Sequence, residues 1–206
     1  MRILLLRRRL LFKGIKGEDI EIGKIKTYRL FVLPYHRDGE PLAEDELKQT
    51  LLWRNYLSNS KVMKVLATTS THLKKDFWLV ERLDEKAVAQ YKVVWRDGAE
   101  TFVPAIDTTG AIPDYTVNYI PVSSFEEACY LLAALLAPQI NAVVKELVSW
   151  IGHVQPRFVK YFKIPKYSPK NEVHKRLAEI GKAIHSECEE ALKKMLKEIE
   201  KLVEML

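Results

Sequence analysis

The sequence predicts an α+β fold: a mixed β-sheet body with packed helices and a long C-terminal helix. Three observations support this class. Up to residue 122 the chain consists of short β-rich runs separated by turn signals, of which Asp38-Gly39 and Asp97-Gly98 are the strongest. From Ser124 onward the apolar residues follow helical spacing instead. In the last stretch they alternate between spacings of four and three, as in the seam of a coiled coil.

The predicted extended segments are rich in β-branched and aromatic residues, which favour a pleated, half-buried surface. They cover residues 2–12, 27–34, 77–80, 91–95, 99–106 and 112–120. The second of these ends at Pro34, which cannot donate to a strand ladder. Between the first two, Lys13 to Glu21 contains Gly14 and Gly17 and is predicted as a turn.

Three helices are predicted ahead of the C-terminal one. Ala43 to Leu57 places leucines on one face and has acidic residues at its N-terminal end, where the helix dipole favours them. Ser124 and Glu127 have the spacing of a capping box, so a helix begins there. Because that helix is apolar nearly all round, we expect it to be buried. Pro138 interrupts it, and a third helix follows from about Gln139 to Trp150.

The last helix is predicted from about Asn171 to Leu206. Its apolar seam consists of Cys188, Leu192, Met195, Ile199, Leu202 and Leu206. A seam of this kind packs on the chain's own body or on a second copy, so both arrangements stay open. These patterns predict two domains, residues 1–170 and residues 171–206.

Positive charge is concentrated in two zones. The net charge is +6, and residues 1–16 alone carry six basic residues and no acid. Residues 153–176 hold seven lysines and arginines against Glu172 alone. Local basic zones indicate an anionic partner, whereas a generally polycationic surface is not predicted. A solvated protein surface is the alternative interpretation of both zones.

The second basic zone overlaps Gly152 to Pro169, which we call the basic-aromatic segment. Its cations are Arg157, Lys160, Lys163 and Lys166, and its aromatic residues are Phe158, Tyr161, Phe162 and Tyr167. Cations that contact phosphates and rings that stack on bases are the components of a nucleic-acid surface. For Phe158 and Phe162 the favoured alternative is burial in the core, and Trp95 is expected to be buried.

Several kinds of chemistry have no signal in the sequence. There is no glycine-rich phosphate-binding loop and no nucleophile elbow. The five histidines are scattered without metal-ligand spacing. We therefore expect no cofactor, no metal and no enzyme activity of the chain by itself.

Cysteine usage and the N-terminus indicate the compartment. The two cysteines form no disulfide framework, which is typical of a cytoplasmic protein. The apolar run Ile3 to Leu6 is too short for a signal core or a membrane span. Abundant lysine and glutamate with scarce asparagine and glutamine are typical of a thermophile.

Five stretches, in order along the chain, resemble the target-recognition region of adenine-N6 DNA methyltransferases from restriction–modification systems. This region is the C-terminal specificity domain of type IIG-like fused enzymes. The stretches are IKGEDIEIGKIKTYRLFVLPYHRDG, PLAEDELKQTLLWRNYLSN, FWLVERLDEKAVAQYKVVWR, IPDYTVNYIPVSSFEEACYLLAALLAPQINAVV and GHVQPRFVKYFKIPKYSPKNEVHKRLAEI. The chain departs from the family at Leu136-Ala137-Pro138, where the family has Leu-Asn-Ser-Pro. Its spacing around Gln155-Pro156 is also shorter.

The resemblance implies a recognition module without its catalytic half. The S-adenosylmethionine fold and the Asn/Asp-Pro-Pro-Tyr motif of such enzymes are missing, and Asn118-Tyr119-Ile120-Pro121 is not that motif. The implied partners are double-stranded DNA and a methyltransferase catalytic subunit. A separately encoded subunit, a fragment and a remnant of a broken gene all fit this interpretation.

If the resemblance holds, most of the DNA contacts lie in the basic-aromatic segment. The candidates for phosphate contacts are Arg157, Lys160, Lys163 and Lys166, and those for base reading are Gln155, His153 and Arg96. Glutamine pairs with adenine and arginine with guanine, each through two hydrogen bonds.

Two other functions stay open. The coiled-coil seam is typical of an assembly protein, or of a degenerate enzyme remnant that self-associates through its C-terminal helix. An enzyme without a recognisable motif is the third hypothesis, and a methylation assay with S-adenosylmethionine distinguishes it from the other two.

Overall fold

The computed structural model describes residues 9–69, 78–80, 83–97, 102–187 and 189–206. The chain divides into two units. The first consists of residues 1–12 and 30–88, and the second of residues 13–29 and 89–206. This division differs from the predicted boundary at residue 170, because residues 171–206 belong to the same unit as residues 89–170.

The first unit combines an edge strand with short helices. Strand β1 (Leu11–Ile15) starts in this unit, and β4 (Arg29–Val32) lies beside it. Helix α1 (Glu44–Lys48), a π-helical turn (Trp53–Leu57) and α2 (Ser60–Thr69) follow. Leu47 of α1 and Leu57 of the π-helical turn form a small core with Leu10, Leu42 and Trp78.

The second unit is built on a three-stranded antiparallel sheet. Its central strand β5 (Tyr91–Arg96) pairs with β6 (Pro104–Asp107) on one side and β8 (Val117–Val122) on the other. The two-stranded ribbon of β2 (Ile20–Glu21) and β3 (Lys24–Ile25) and the short strand β7 (Ile112–Pro113) complete the β-structure. The end of β1 pairs in parallel with β7.

Helices cover the antiparallel sheet. They are α3 (Phe125–Leu135), α4 (Pro138–Ile151), the short α5 (Pro156–Val159), α6 (Glu172–Glu187) and α7 (Glu189–Glu204). Helix α3 begins as predicted, because the Ser124 hydroxyl accepts a hydrogen bond from the Glu127 N–H at 3.1 Å. Helix α3 is almost entirely buried, and α6 packs closely along it.

The predicted fold class is confirmed. The chain has a mixed β-sheet body, packed helices and a long C-terminal helix, α7. The predicted helices that begin near Ser124 and at Pro138 are also confirmed. Strand β5 lies where Tyr91 to Trp95 was predicted, and Trp95 is fully buried.

The single helix predicted from Asn171 to Leu206 is instead two helices, α6 and α7. An ion pair joins Arg176 Nε to Glu198 Oε1 at 2.6 Å. In one straight helix these residues would lie roughly 33 Å apart at 1.5 Å per residue, so α7 folds back beside α6. The apolar seam faces the chain's own core: Leu192 and Ile199 are buried there, and Met195, Leu202 and Leu206 pack against it. Cys188 lies outside the described residues.

Several predicted extended segments have different limits. Lys13, predicted in a turn, lies within β1, and the predicted turn region also contains a 3₁₀ turn and β2. Trp78 to Val80 is not a strand, and residues 70–77 lie outside the described part. The segment predicted at 99–106 is a strand only from Pro104, and residues 98–101 are outside the described part. Residues 1–8 of the first predicted strand are outside it too.

The remaining differences are interruptions. A turn at Asp114 separates β7 from β8, because the Asp114 carboxylate accepts a hydrogen bond from the Thr116 N–H at 2.8 Å. The helix predicted over residues 43–57 is broken after Lys48 and continues as a π-helical turn.

No single helix among the described residues is long and apolar enough to cross a membrane. Helices α3 and α4 meet the length and composition criteria only as a pair, and a 70° bend separates them.

Candidate nucleic-acid interface

The basic-aromatic segment follows α4 without a break in the described chain. Gly152 ends α4 in the left-handed conformation, with φ +72°. Pro156 then starts α5, and a 3₁₀ turn follows over Lys160–Phe162. Lys163 ends this turn with φ +53°, and among the described residues it is the only one other than glycine with positive φ. From Lys163 a stretch without regular secondary structure, Ile164 to Ser168, leads to a turn before α6.

The N-terminal end of the segment is fixed to the sheet through Val154. The Trp95 indole N–H donates to the Val154 carbonyl at 2.7 Å, and the Asn118 amide donates to the same oxygen at 3.1 Å. Trp95 and Asn118 are opposite each other on β5 and β8. Two adjacent strands of the sheet therefore hold this end of the segment.

The C-terminal end is fixed to α3 and α6. The Tyr130 hydroxyl donates to the Pro165 carbonyl at 2.9 Å, and the Ser168 N–H donates to His174 Nδ1 at 2.9 Å. The His174 ring packs beside Tyr130, with 4.7 Å between ring centroids, and beside Tyr167, with 6.3 Å. Because Nδ1 accepts a hydrogen bond, the neutral ring carries its proton on Nε2.

Between these anchors, apolar side chains point inward. Val154 and Val159 are buried in the main core, and Phe162, Ile164 and Tyr167 pack against it. The expectation of core packing is therefore met for Phe162. Phe158 is half-buried and lies against Tyr161.

The four predicted phosphate-contacting cations point outward. Arg157, Lys160, Lys163 and Lys166 are all exposed. Lys175 and Arg176 of the same basic zone pair with Glu172 and with Glu179 and Glu198. Among the residues that the structure describes, none of the four segment cations forms an ion pair with an acidic group. Their charge is thus available to an external anion.

The predicted base-reading residues have three different environments. Gln155 is half-buried, and its side-chain amide has no hydrogen bond to any described residue. His153 is exposed, with Nδ1 3.3 Å from the Asp97 carboxylate. Arg96 Nη2 donates to the Ile20 carbonyl at 2.5 Å, so this guanidinium is engaged within the protein. Gln155 and His153 lie beside the four cations in sequence, whereas the Arg96 guanidinium is hydrogen-bonded to Ile20.

Sequence reasoning missed two residues of this region. Trp150, at the end of α4, is 88% exposed. The sequence signal for its place at the helix end is Gly152, which follows two residues later and ends α4. His174 was treated as one of several scattered histidines. The sequence does not predict that His174 holds the C-terminal end of the segment, because this depends on its contacts with Ser168 and with the Tyr130 ring.

The N-terminal basic zone is less complete. Residues 1–8 are outside the described part of the chain. Of the rest, the Lys13 ammonium lies over the Tyr28 ring, 5.1 Å from its centroid, and Arg9 and Lys16 are exposed. These three described cations alone do not define a surface.

An apolar groove lies in the first unit. It is lined by Leu10, Leu11, Val32, Leu51, Leu52, Asn55 and Tyr56. The lining is apolar except for the Asn55 amide and the Tyr56 hydroxyl. In the described parts of the chain there is also no group of three or more His, Cys, Asp or Glu residues that could hold a metal ion.

Comparison with protein-family models finds no match to the chain, and comparison with curated proteins finds none either.

Acid is expected to destabilise the second unit through His174. Burial lowers the pKa of its imidazole below the ordinary value of 6.5. The unfolded chain therefore binds a proton at a pH where the folded chain does not. The contribution to stability is fully present above about pH 6.5 and is lost as the pH falls below that value.

Urea unfolding at about pH 8 and at about pH 5, on either side of the histidine range, measures this effect. A His174→Gln variant keeps an acceptor near Ser168 but does not titrate, so its unfolding free energy should fall less over the same interval. Parallel pH dependence of the two proteins would contradict the assignment.

Proposed function

We propose that the chain is a sequence-specific DNA target-recognition module that acts with a methyltransferase catalytic subunit and does not transfer methyl groups itself. The observation that carries this proposal is the outward array of Arg157, Lys160, Lys163 and Lys166 on a segment fixed at both ends. The resemblance in sequence to adenine-N6 methyltransferase specificity domains supports the same function.

The segment suits DNA because its backbone is fixed at both ends, while its four cations form no ion pair with a described acidic group. Because the backbone of the segment is already fixed at both ends, only the side chains of these cations have to be ordered when they contact phosphates, which lowers the entropic cost of binding. Phosphate contacts then set the register, and an accessible polar side chain such as Gln155 reads a base edge in the major groove. The catalytic subunit takes the flipped adenine while the module holds the flanking duplex.

The buried, unpaired state of Cys129 fits a reducing compartment, and we propose the cytoplasm. Burial raises the pKa of the Cys129 thiol to about 12, so this thiol is neither a nucleophile nor a metal ligand at neutral pH.

The salt dependence of duplex binding tests the proposal. Each phosphate contact contributes about −0.9 to the slope of log affinity against log salt concentration. The triple variant Lys160→Gln, Lys163→Gln, Lys166→Gln should therefore bind more weakly and have a slope smaller in magnitude by roughly three. Fluorescence anisotropy with a labelled duplex at several salt concentrations gives both quantities.

A control variant removes the same charge elsewhere. Lys61, Lys64 and Lys86 are exposed in the first unit, and changing all three to glutamine should leave the slope close to that of the unchanged protein. Equal losses in the two triple variants would show a general charge effect and would contradict a specific surface. No binding at low salt would overturn the proposal itself.

A further inference from the structure

We infer that Tyr161 is a stacking platform for an unstacked base, so that the preferred ligand of the basic-aromatic segment is DNA with at least one base outside the helical stack. This inference rests on the proposed function, because it assigns the kind of DNA that the same surface binds. It goes beyond that function, which requires of the module only phosphate contacts and base edges in the paired DNA that flanks the flipped adenine.

The Tyr161 ring is exposed to solvent. Tyr161 is 76% exposed, although Val159, Phe162 and Ile164 of the same segment lie in the core or pack against it. The neighbouring Phe162 packs against the core, so the 3₁₀ turn needs only that ring as its anchor. The Tyr161 hydroxyl has no hydrogen bond to any described residue. Neither core packing nor a polar contact within the described chain accounts for an aromatic residue at this position.

Neighbouring side chains support the Tyr161 ring. The Phe158 ring lies 6.4 Å from Tyr161, centroid to centroid, at an interplanar angle of 35°. The Arg157 guanidinium lies over Phe158, 5.0 Å from its centroid. Arginine over an aromatic ring and a second ring beside it limit the motion of both side chains. A base that stacks here meets a surface that is already ordered.

Basic residues lie on both sides of Tyr161 in the sequence. Lys160 directly precedes Tyr161, and Lys163 follows two residues later with its backbone in the left-handed region. In a nucleic-acid strand each base is likewise flanked by a phosphate on either side. A cation on each side of an exposed ring therefore matches one unstacked nucleotide with its two phosphates. In an intact duplex the base faces are covered by their neighbours, and the ring has no face to contact.

Three labelled DNA ligands of one sequence separate the alternatives: an intact duplex, the same duplex with a central unpaired bulge, and the single strand. The probe in the bulge is 2-aminopurine, whose emission falls when it stacks. We expect the bulged duplex to bind about tenfold more tightly than the intact one, with quenching of the probe. Tyr161→Leu should remove this preference and the quenching, whereas Tyr161→Phe should keep both.

Tyr115 provides the matched control. It is 85% exposed but lies beside Asp114, with no basic neighbour in sequence, so Tyr115→Leu should leave all three affinities unchanged. Because both tyrosines are exposed, both leucine variants should unfold at the temperature of the unchanged protein. A matching unfolding temperature excludes misfolding as the cause of lost binding.

The outcomes distinguish failure of the stacking inference from failure of the proposed function. If the unchanged protein binds intact and bulged duplexes equally, or if Tyr161→Leu retains the preference, the stacking inference is wrong while salt-dependent duplex binding still supports the proposed function. If Tyr161→Phe loses the preference, the hydroxyl and not the ring face is responsible, and the inference is again wrong. If no ligand binds at low salt, the proposed function fails and the inference fails with it.

Discussion

Replacement of Gly181 by alanine is expected to destabilise the second unit strongly, by roughly 3 kcal/mol or more. A Cβ at Gly181 would lie 1.9 Å from the Cys129 carbonyl oxygen and 2.6 Å from its carbonyl carbon. Both are backbone atoms of α3, so no side-chain rotation relieves the clash. Helix α6 would have to move away from α3, and the buried leucines and alanines between the two helices would lose their contacts.

Gly152 provides the control for this prediction. Its φ is +72°, but a Cβ there would meet no atom within 4 Å. Gly152→Ala should therefore cost only the left-handed conformation, about 1 kcal/mol. Urea denaturation of the two variants compares a steric effect with a conformational one. A smaller loss for Gly181→Ala than for Gly152→Ala would contradict the close approach of α3 and α6.

The same substitution connects the core to the candidate interface. Helix α3 carries Tyr130, and α6 carries His174, which together hold the C-terminal half of the basic-aromatic segment. Separation of the two helices would disturb both anchors. We therefore expect that Gly181→Ala, where it still folds, also weakens duplex binding, while Gly152→Ala does so much less.

The elements that sequence predicts well are those whose signals lie within a few residues. Ser124 and Glu127 mark the start of α3, and Pro138 marks the start of α4, because capping and the missing proline N–H are local effects. Strand β5 is predicted correctly because its β-branched and aromatic residues favour a strand.

The break between α6 and α7 could not be predicted in the same way. A seam with spacings of four and three packs against any apolar surface, whether of a second copy or of the same chain. The deciding contacts join residues distant in sequence, such as Arg176 with Glu198 and Gln139 with the Glu200 carbonyl. Nothing in the local pattern distinguishes these from contacts between copies.

In the candidate interface, too, the sequence predicts local features but not those that depend on the tertiary structure. The sequence predicts the positive charge of the segment, because lysines and arginines with no acidic neighbour are seldom neutralised within the fold. It does not predict the direction of each ring, since Tyr161 and Phe162 are adjacent and only the dihedral angles of the turn place one outside and the other against the core. The engagement of Arg96 with Ile20 likewise depends on a strand far away in sequence.

A buried ion pair in the sheet leads to the second large effect. Lys92 on β5 and Asp107 on β6 are both 0% exposed, and Lys92 Nζ lies 3.0 Å from Asp107 Oδ2. The ammonium also donates to the Ala89 carbonyl at 2.6 Å, and the carboxylate accepts from the Ala111 N–H at 2.8 Å. Burial lowers the pKa of the Lys92 ammonium, and the Asp107 carboxylate opposes this shift. The charged pair persists because each member compensates the charge of the other.

Lys92→Met is expected to cost about 3–5 kcal/mol of unfolding free energy, because it leaves the Asp107 carboxylate buried without its counter-charge. In an Asp107→Asn background Lys92→Met should cost clearly less, because no charge is then left unpaired. Asp107→Asn has a cost of its own, since both carboxylate oxygens accept hydrogen bonds from N–H donors, of Thr109 and of Ala111, and an amide NH2 cannot accept. Urea denaturation of the two single variants and the double variant gives the coupling energy. If Lys92→Met costs as much in the Asp107→Asn background as it does alone, the loss comes from packing and not from the uncompensated charge. Strand β5 also carries Trp95, whose indole N–H donates to the Val154 carbonyl. A displacement of the sheet would therefore weaken this hydrogen bond and loosen the N-terminal end of the basic-aromatic segment.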